Sequence, residues 1–259
     1  MPTHTSLRRT LLLSLLALAL LSAPAYAFLD EVAQLKEELQ TYQTTHTTAT
    51  FSDLVARLDD IAGPAFKDVT EGQWFHTYIS AVADWGIVSG YTDERGNKTG
   101  MFGPANPVTI AEAMKMAFKA AKVDGKLCKP QVETAQAIGH WAERFIACAE
   151  QVNMRVLRKN AIDINRPARR AEVLAIVDDA FGEHVPALYA SFLDTEGHLY
   201  EADVAYAVVR GVVNGDTDAQ GRSTGTFRPN GAINRAEIAK IIYEQLKARV
   251  RLQTRAQQS

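Results

Sequence analysis

The chain has 259 residues, 28 of them lysine or arginine and 30 aspartate or glutamate, for a net charge of −2. That balance gives no global pull toward nucleic acid or anionic lipid. A chain of this length can bury a substantial core as one large or two small domains.

Residues 1–27 are expected to be an export signal. Arg8 and Arg9 form a basic start, residues 11–21 are an apolar run, and Ala25-Tyr26-Ala27 has the small-x-small pattern of a cleavage site. The alternative is an uncleaved N-terminal anchor, although the run is shorter than the roughly 20 apolar residues that span a bilayer. No cysteine stands at the cleavage site, which argues against a lipid anchor. Removing two of the 28 basic side chains with this segment leaves 26 against 30 acids, so the exported chain carries −4.

Residues 28–62 read as a helical leader. Leu29, Val32, Leu35 and Leu39 have helical spacing, a Thr-rich stretch interrupts them, and a second helix is expected from Phe51 to Ile61, stopped by Gly63-Pro64. Such a leader either packs on the following domain or recruits an envelope protein partner.

From Phe66 the chain repeats itself. At a constant offset of 125, Gly86, Gly90, Asp93, Gly96, Thr99, Gly100, Phe102, Pro104 and Glu112 fall on Gly211, Gly215, Asp218, Gly221, Thr224, Gly225, Phe227, Pro229 and Glu237. Identity at so many turn, aromatic and acidic positions without a gap indicates duplication. The openings "FKDV" at Phe66 and "FLDT" at Phe192 also match. A degenerate copy lies between them, with Trp141 answering Trp74, "ARRAEVLAIV" answering the second helix and the glycine-rich connection reduced to "RVLRKNAIDINRP". The expected organisation is three helix-loop-helix repeats at 66–121, 122–183 and 190–247, a tail at 248–259 and a mainly α fold. Neither helix of a repeat can bury its apolar face alone, so the three should pack into one body.

Cys128 and Cys148 would lie in an oxidising compartment after export, where a disulfide is permitted. A bridge would close a loop of about 20 residues, worth about 3 kcal/mol by chain entropy. Two buried free thiols are the alternative, and two cysteines supply only half a structural zinc site.

Thr109 with Glu112, and Asn234 with Glu237, have the spacing of a capping box; Arg169 stands at the cap position before Glu172, so the middle box is incomplete. Capping accounts for these glutamates before any ligand contact does. Arg170 and Arg235 stand just inside helix starts, where free N–H groups and the helix dipole disfavour a cation. A bound anion would explain the placement, as would an ion pair with a neighbouring acid. Asp216, Asp218 and Gly221 begin like a calcium loop, but Phe227 occupies the position of the bidentate glutamate, so turn chemistry is the expectation for both glycine-rich loops. No metal-ligand, nucleophile-elbow or phosphate-loop pattern appears, and neither an enzyme nor a cofactor is expected.

In order, the motifs F-x-D-V, Trp, a helix ending in G-I or G-V, a G-x-x-D loop, F-x-P and "INRAE" resemble the S-layer homology domain, over Phe66 to about Leu246. The resemblance implies a pseudo-threefold arrangement of the repeats around a central three-helix bundle. It implies grooves between repeats that bind cell-wall polysaccharide, often through a pyruvylated sugar whose carboxylate meets the motif arginine. On that likeness Arg235 and Arg170 are the anion-binding arginines, with Glu172, Glu237, Asp93 and Asp218 as further groove candidates. Trp74 and Trp141 either stack on sugar faces or belong to the helix-packing core. Ile110 replaces the arginine in the first copy, which leaves that copy's groove silent or committed to another contact. The function implied is non-covalent anchoring in a bacterial envelope; the competing one is protein assembly through repeats that have lost the sugar.

Overall fold

The computed structural model describes residues 66–129, 131–158 and 162–258. The export signal at 1–27 and the leader at 28–62 therefore lie outside the described residues.

Six α-helices are found there: α1 His76–Asp84, α2 Ile110–Ala120, α3 Glu143–Gln151, α4 Arg170–Ala180, α5 Glu201–Val209 and α6 Arg235–Gln258. The protein is mainly helical, and the described residues contain isolated β-bridges but no strand. The tail expected from residue 248 is instead a continuation of α6. Among the described residues no helix is long and apolar enough to cross a membrane.

The helix starts follow the capping chemistry. Thr109 Oγ1 accepts from the Glu112 amide at 3.2 Å while the Thr109 amide donates to Glu112 Oε2 at 2.9 Å. Asn234 and Glu237 exchange the same two bonds, both at 2.9 Å. At α4 only half the box forms: the Arg169 amide donates to Glu172 Oε2 at 3.0 Å, but an arginine side chain has no acceptor to return the bond.

The duplicated loops match bond for bond. Tyr91 N donates to Met101 O and Thr99 N to Tyr91 O, at 2.8 and 2.9 Å; Asp216 N donates to Thr226 O and Thr224 N to Asp216 O, at 2.8 and 3.0 Å. The aspartate of each F-x-D opening then fixes the F-x-P turn. Asp68 accepts from the amides of Phe102 and Gly103, and Asp194 from those of Phe227 and Arg228. Gly90 is required by close approach, because a Cβ there would lie 2.7 Å from both Met101 O and the Phe66 ring.

The packing is interlaced. α1 packs on α6, α3 on α2 and α5 on α4, while α2, α4 and α6 also pack against one another. Each first helix thus covers the second helix of a different helix-loop-helix segment. Ahead of α2, α4 and α6 three buried residues close a ring: Val108 N donates to Ile233 O, Ile233 N to Ala168 O, and Ala168 N to Val108 O, at 3.0, 3.0 and 2.8 Å. Phe102, Phe118, Phe227, Ile110, Ile176 and Ile238 are fully buried in the core.

Cys128 and Cys148 are bonded, with Cα atoms 5.0 Å apart, tying the chain after α2 to α3. Replacing both with serine should lower stability by about 3 kcal/mol, the entropy of a loop of this length. Urea unfolding of oxidised wild type beside the variant checks this, and equal midpoints would contradict it.

Candidate functional site

Two grooves open at the junctions of the interlaced segments. The first, of about 200 Å³, is lined by Ser89, Glu112, Lys115, Trp141 and Arg235, with Ile87, Val88 and Met116 as apolar neighbours. The second, of about 610 Å³, is lined by Trp74, Arg170, Asn214, Asp216, Arg228, Glu237 and Lys240 among others. Glu112 and Lys115 correspond to Glu237 and Lys240 at the offset of 125, so the two grooves are copies. In each, the loop, glutamate and lysine come from one segment, the arginine from a second and the tryptophan from a third.

This explains the arginines at the helix starts. The backbone N–H groups there are already taken: Arg235 N and Ala236 N donate to Asn106 O and Pro104 O, while Arg170 N and Ala171 N donate to Gly231 O and Pro229 O. The helix termini are therefore closed to an anion, and of the two explanations left open for these arginines the ion pair with a neighbouring acid holds for Arg170. Each guanidinium instead leaves its helix and lies on the neighbouring loop. Arg235 Nε donates to Phe102 O and Nη2 to Ser89 O, both at 2.8 Å, with the group 4.4 Å from the Phe102 ring centre and 4.8 Å from that of Tyr91. Carbonyl acceptors and ring faces together make such a placement tolerable for a cation.

The two arginines differ in charge environment. Arg170 Nη1 donates to Glu237 Oε1 at 2.7 Å, and its Nη2 lies 3.9 Å from Asp216. Asp216 is itself held by Arg228 at 2.7 Å, and the Arg228 bonds keep its carboxyl below the usual range. Arg235 is 7% exposed and forms no ion pair among the described residues. Beside it, burial lowers the Lys115 ammonium pKa, and the neighbouring charges of Lys119 and Arg235 lower it further. The first groove therefore holds two crowded cations against Glu112.

Both tryptophans stand at groove rims, each 55% exposed, which rules out the helix-packing core. Lys115 Nζ lies 5.4 Å from the Trp141 ring and Lys240 Nζ 5.9 Å from that of Trp74. Asp93 and Asp218 line neither groove. Asp93 accepts from the amides of Arg95 and Asn97, and Asp218 from those of Gln220 and Arg222, so each closes its own turn. Those backbone bonds hold both carboxyls below their ordinary range. Glu172 also lines neither groove; it is buried and clasped by Arg166 at 2.7 and 2.9 Å.

At the third junction the corresponding positions are Ile110 for the arginine, Ala175 for the lysine and Leu199 for the tryptophan. The cations and the indole are missing there, and Glu172 is spent on Arg166. The unequipped junction is thus the one belonging to the middle segment, whereas the first copy, for all that it has Ile110, receives Arg235 from the C-terminal copy. Lys115, Lys240, Ser89, Asn214 and Arg228 were missed from sequence. The shared Glu-x-x-Lys of α2 and α6 was the available signal for the two lysines.

Residues 65–114 and 191–239 match the S-layer homology domain. No curated protein matches the chain. Domains of this family are in general non-catalytic modules that anchor proteins to the cell envelope; they bind cell-wall polymers and occur in cell-surface and S-layer-associated proteins.

Proposed function

We propose that this chain, which carries two S-layer homology domains, anchors in a bacterial envelope by gripping an anionic wall polysaccharide in its two grooves. Arg235 supplies the anion contact, and a pyruvylated sugar carboxylate is the group it takes. The observation that carries this is a nearly buried guanidinium with no acidic partner among the described residues, lining a groove beside a second crowded cation. Burying a charge is costly unless it is paired, and a bound carboxylate meets that need. Trp141 at the rim offers a rigid ring face to the sugar.

The closed ring of Val108, Ala168 and Ile233 supports a pseudo-threefold arrangement with the middle segment as a third, degenerate repeat. Export through residues 1–27 and recruitment of an envelope partner through residues 28–62 complete the reading. Arg170, already neutralised by Glu237, has a different part: it fastens two segments together and leaves its groove to bind through Trp74 and polar loop groups.

The test is calorimetric titration of the exported protein with polysaccharide released from the source organism's sacculi, native or with its carboxyls amidated. Native polymer should bind and the amidated polymer should lose at least about tenfold in affinity, the scale of one charge-assisted contact. Equal binding of both would overturn anionic recognition.

A further inference from the structure

Beyond the groove of Arg170, four aromatic rings run along the seam between α1 and α6. Trp74 stands at the groove rim, Tyr78 follows one helical turn later with its ring centre 6.4 Å away, Tyr243 of α6 lies 5.3 Å further, and Trp85 another 5.8 Å. Trp85 caps the end of α1, so the row spans the whole helix. The end rings are 55% and 43% exposed, and the two tyrosines between them are half-buried.

We infer that this row is a track for further sugar units of the polysaccharide, continuing the Arg170 groove along the α1–α6 seam. The inference rests on the glycan reading above. Packing alone does not require such a row. At the matching seam of α3 on α2 the same positions hold Trp141, Phe145, Phe118 and Val152, where Phe118 is fully buried and no aromatic ring stands at the far end. Phe145 is half-buried like Tyr78, so the two seams differ at the far end, where Phe118 is buried and Val152 stands in place of an exposed tryptophan.

The chemistry suits a glycan. Tyr78 meets Tyr243 edge-on and Trp85 stacks parallel on Tyr243, so the exposed faces lie chiefly at Trp74 and Trp85, and the C–H face of a pyranose can stack on each of these electron-rich rings. Tyrosine and tryptophan offer that area at low entropy cost. Charge is supplied as well: Lys240 Nζ lies 5.9 Å from the Trp74 ring and 5.7 Å from that of Tyr78, and Lys247 Nζ, which also pairs with Glu244 at 3.5 Å, lies 5.7 Å from that of Tyr243. Acidic substituents along the chain would pass these ammonium groups in turn.

The experiment compares long polysaccharide fractions with fragments of one or two repeat units, both released from the source organism's sacculi, binding to wild type, Trp85→Ala and Lys247→Gln. Trp85→Ala should weaken the long fraction about tenfold and leave the short one unchanged, the scale of one aromatic contact. Lys247→Gln changes an exposed side chain, keeps the fold, and should weaken the long fraction about threefold. Equal losses for long and short fractions, or no loss for the long one, would overturn the track while leaving the groove reading in place. Failure of wild type to bind either fraction would overturn the groove reading and the track with it.

Discussion

Replacing Arg235 with glutamine is expected to lower affinity for the wall polysaccharide by at least about 30-fold, the lower range for removing one partner of a buried charged contact. The same change strips the carbonyls of Phe102 and Ser89 of their shared donor. Phe102 is fully buried, and an unsatisfied buried carbonyl costs about 1–3 kcal/mol, so the variant should also unfold at lower urea; Ser89 is exposed and water can replace its donor. Binding must therefore be measured well below the unfolding midpoint. Arg170→Gln is the contrast. It leaves Glu237 without its ion pair, so it should destabilise comparably, but it should weaken binding by less than about tenfold because its charge is already matched within the protein. Equal binding losses for the two variants would contradict the assignment of the anion contact to Arg235.

Asp178→Asn is expected to stabilise the protein, increasingly so as pH rises. Asp178 is 4% exposed on α4, and its Oδ2 has no hydrogen-bond partner among the described residues. Burial pushes its pKa up to about 8, the charges of Asp203 and Glu183 add to this, and Arg155 and Arg210 only partly oppose it. The folded pKa lies above the unfolded one, so the folded state holds the proton more tightly. The cost is absent below about pH 4 and grows by about 1.4 kcal/mol per pH unit until it levels near pH 8. Asparagine resembles the protonated acid and does not ionise. The variant should match wild type near pH 4 and exceed it by about 3–5 kcal/mol at pH 8. Urea unfolding at several pH values checks this; a variant less stable than wild type at pH 8 would show that Asp178 is ionised and held by Arg210.

Asp178 stands among charged side chains that tie the helices together. Arg155, in the 3-10 turn that follows α3, donates Nε to Asp179 Oδ1 at 2.8 Å and Nη1 to Asp203 Oδ2 at 3.0 Å. Arg210 and Arg249 meet Glu183 at 3.2 and 2.6 Å. An ionic cluster thus joins α4, α5 and α6 there.

The helices were legible where local chemistry decides them. Capping at Thr109 and Asn234, and the turns closed by Asp93 and Asp218, depend on residues within four positions of each other. The duplicated loops were legible because their glycines and their Phe-x-Pro turns repeat at one offset. The grooves were not, because their parts come from three segments. Glu112 and Arg235 line one groove from positions more than a hundred residues apart, and only the interlaced packing brings them there. For the same reason Ile110 pointed to a first groove that was silent or committed to another contact, when Ile110 belongs to the middle segment's junction. The tryptophans were ambiguous because an aromatic at a helix entry packs inward or faces a groove according to which neighbour covers it. Asp178 was invisible as a buried acid, since α4 carries it in a run, "VDDAF", that also reads as a solvated end.

The most direct measurement is co-sedimentation of residues 28–259 with sacculi from the source organism, before and after chemical removal of the attached polysaccharide. Sedimentation that depends on the polysaccharide, and that Arg235→Gln reduces in the folded protein, is the result predicted here. Sedimentation unchanged by its removal, or none with either preparation, would contradict glycan anchoring and assign the repeats to protein assembly.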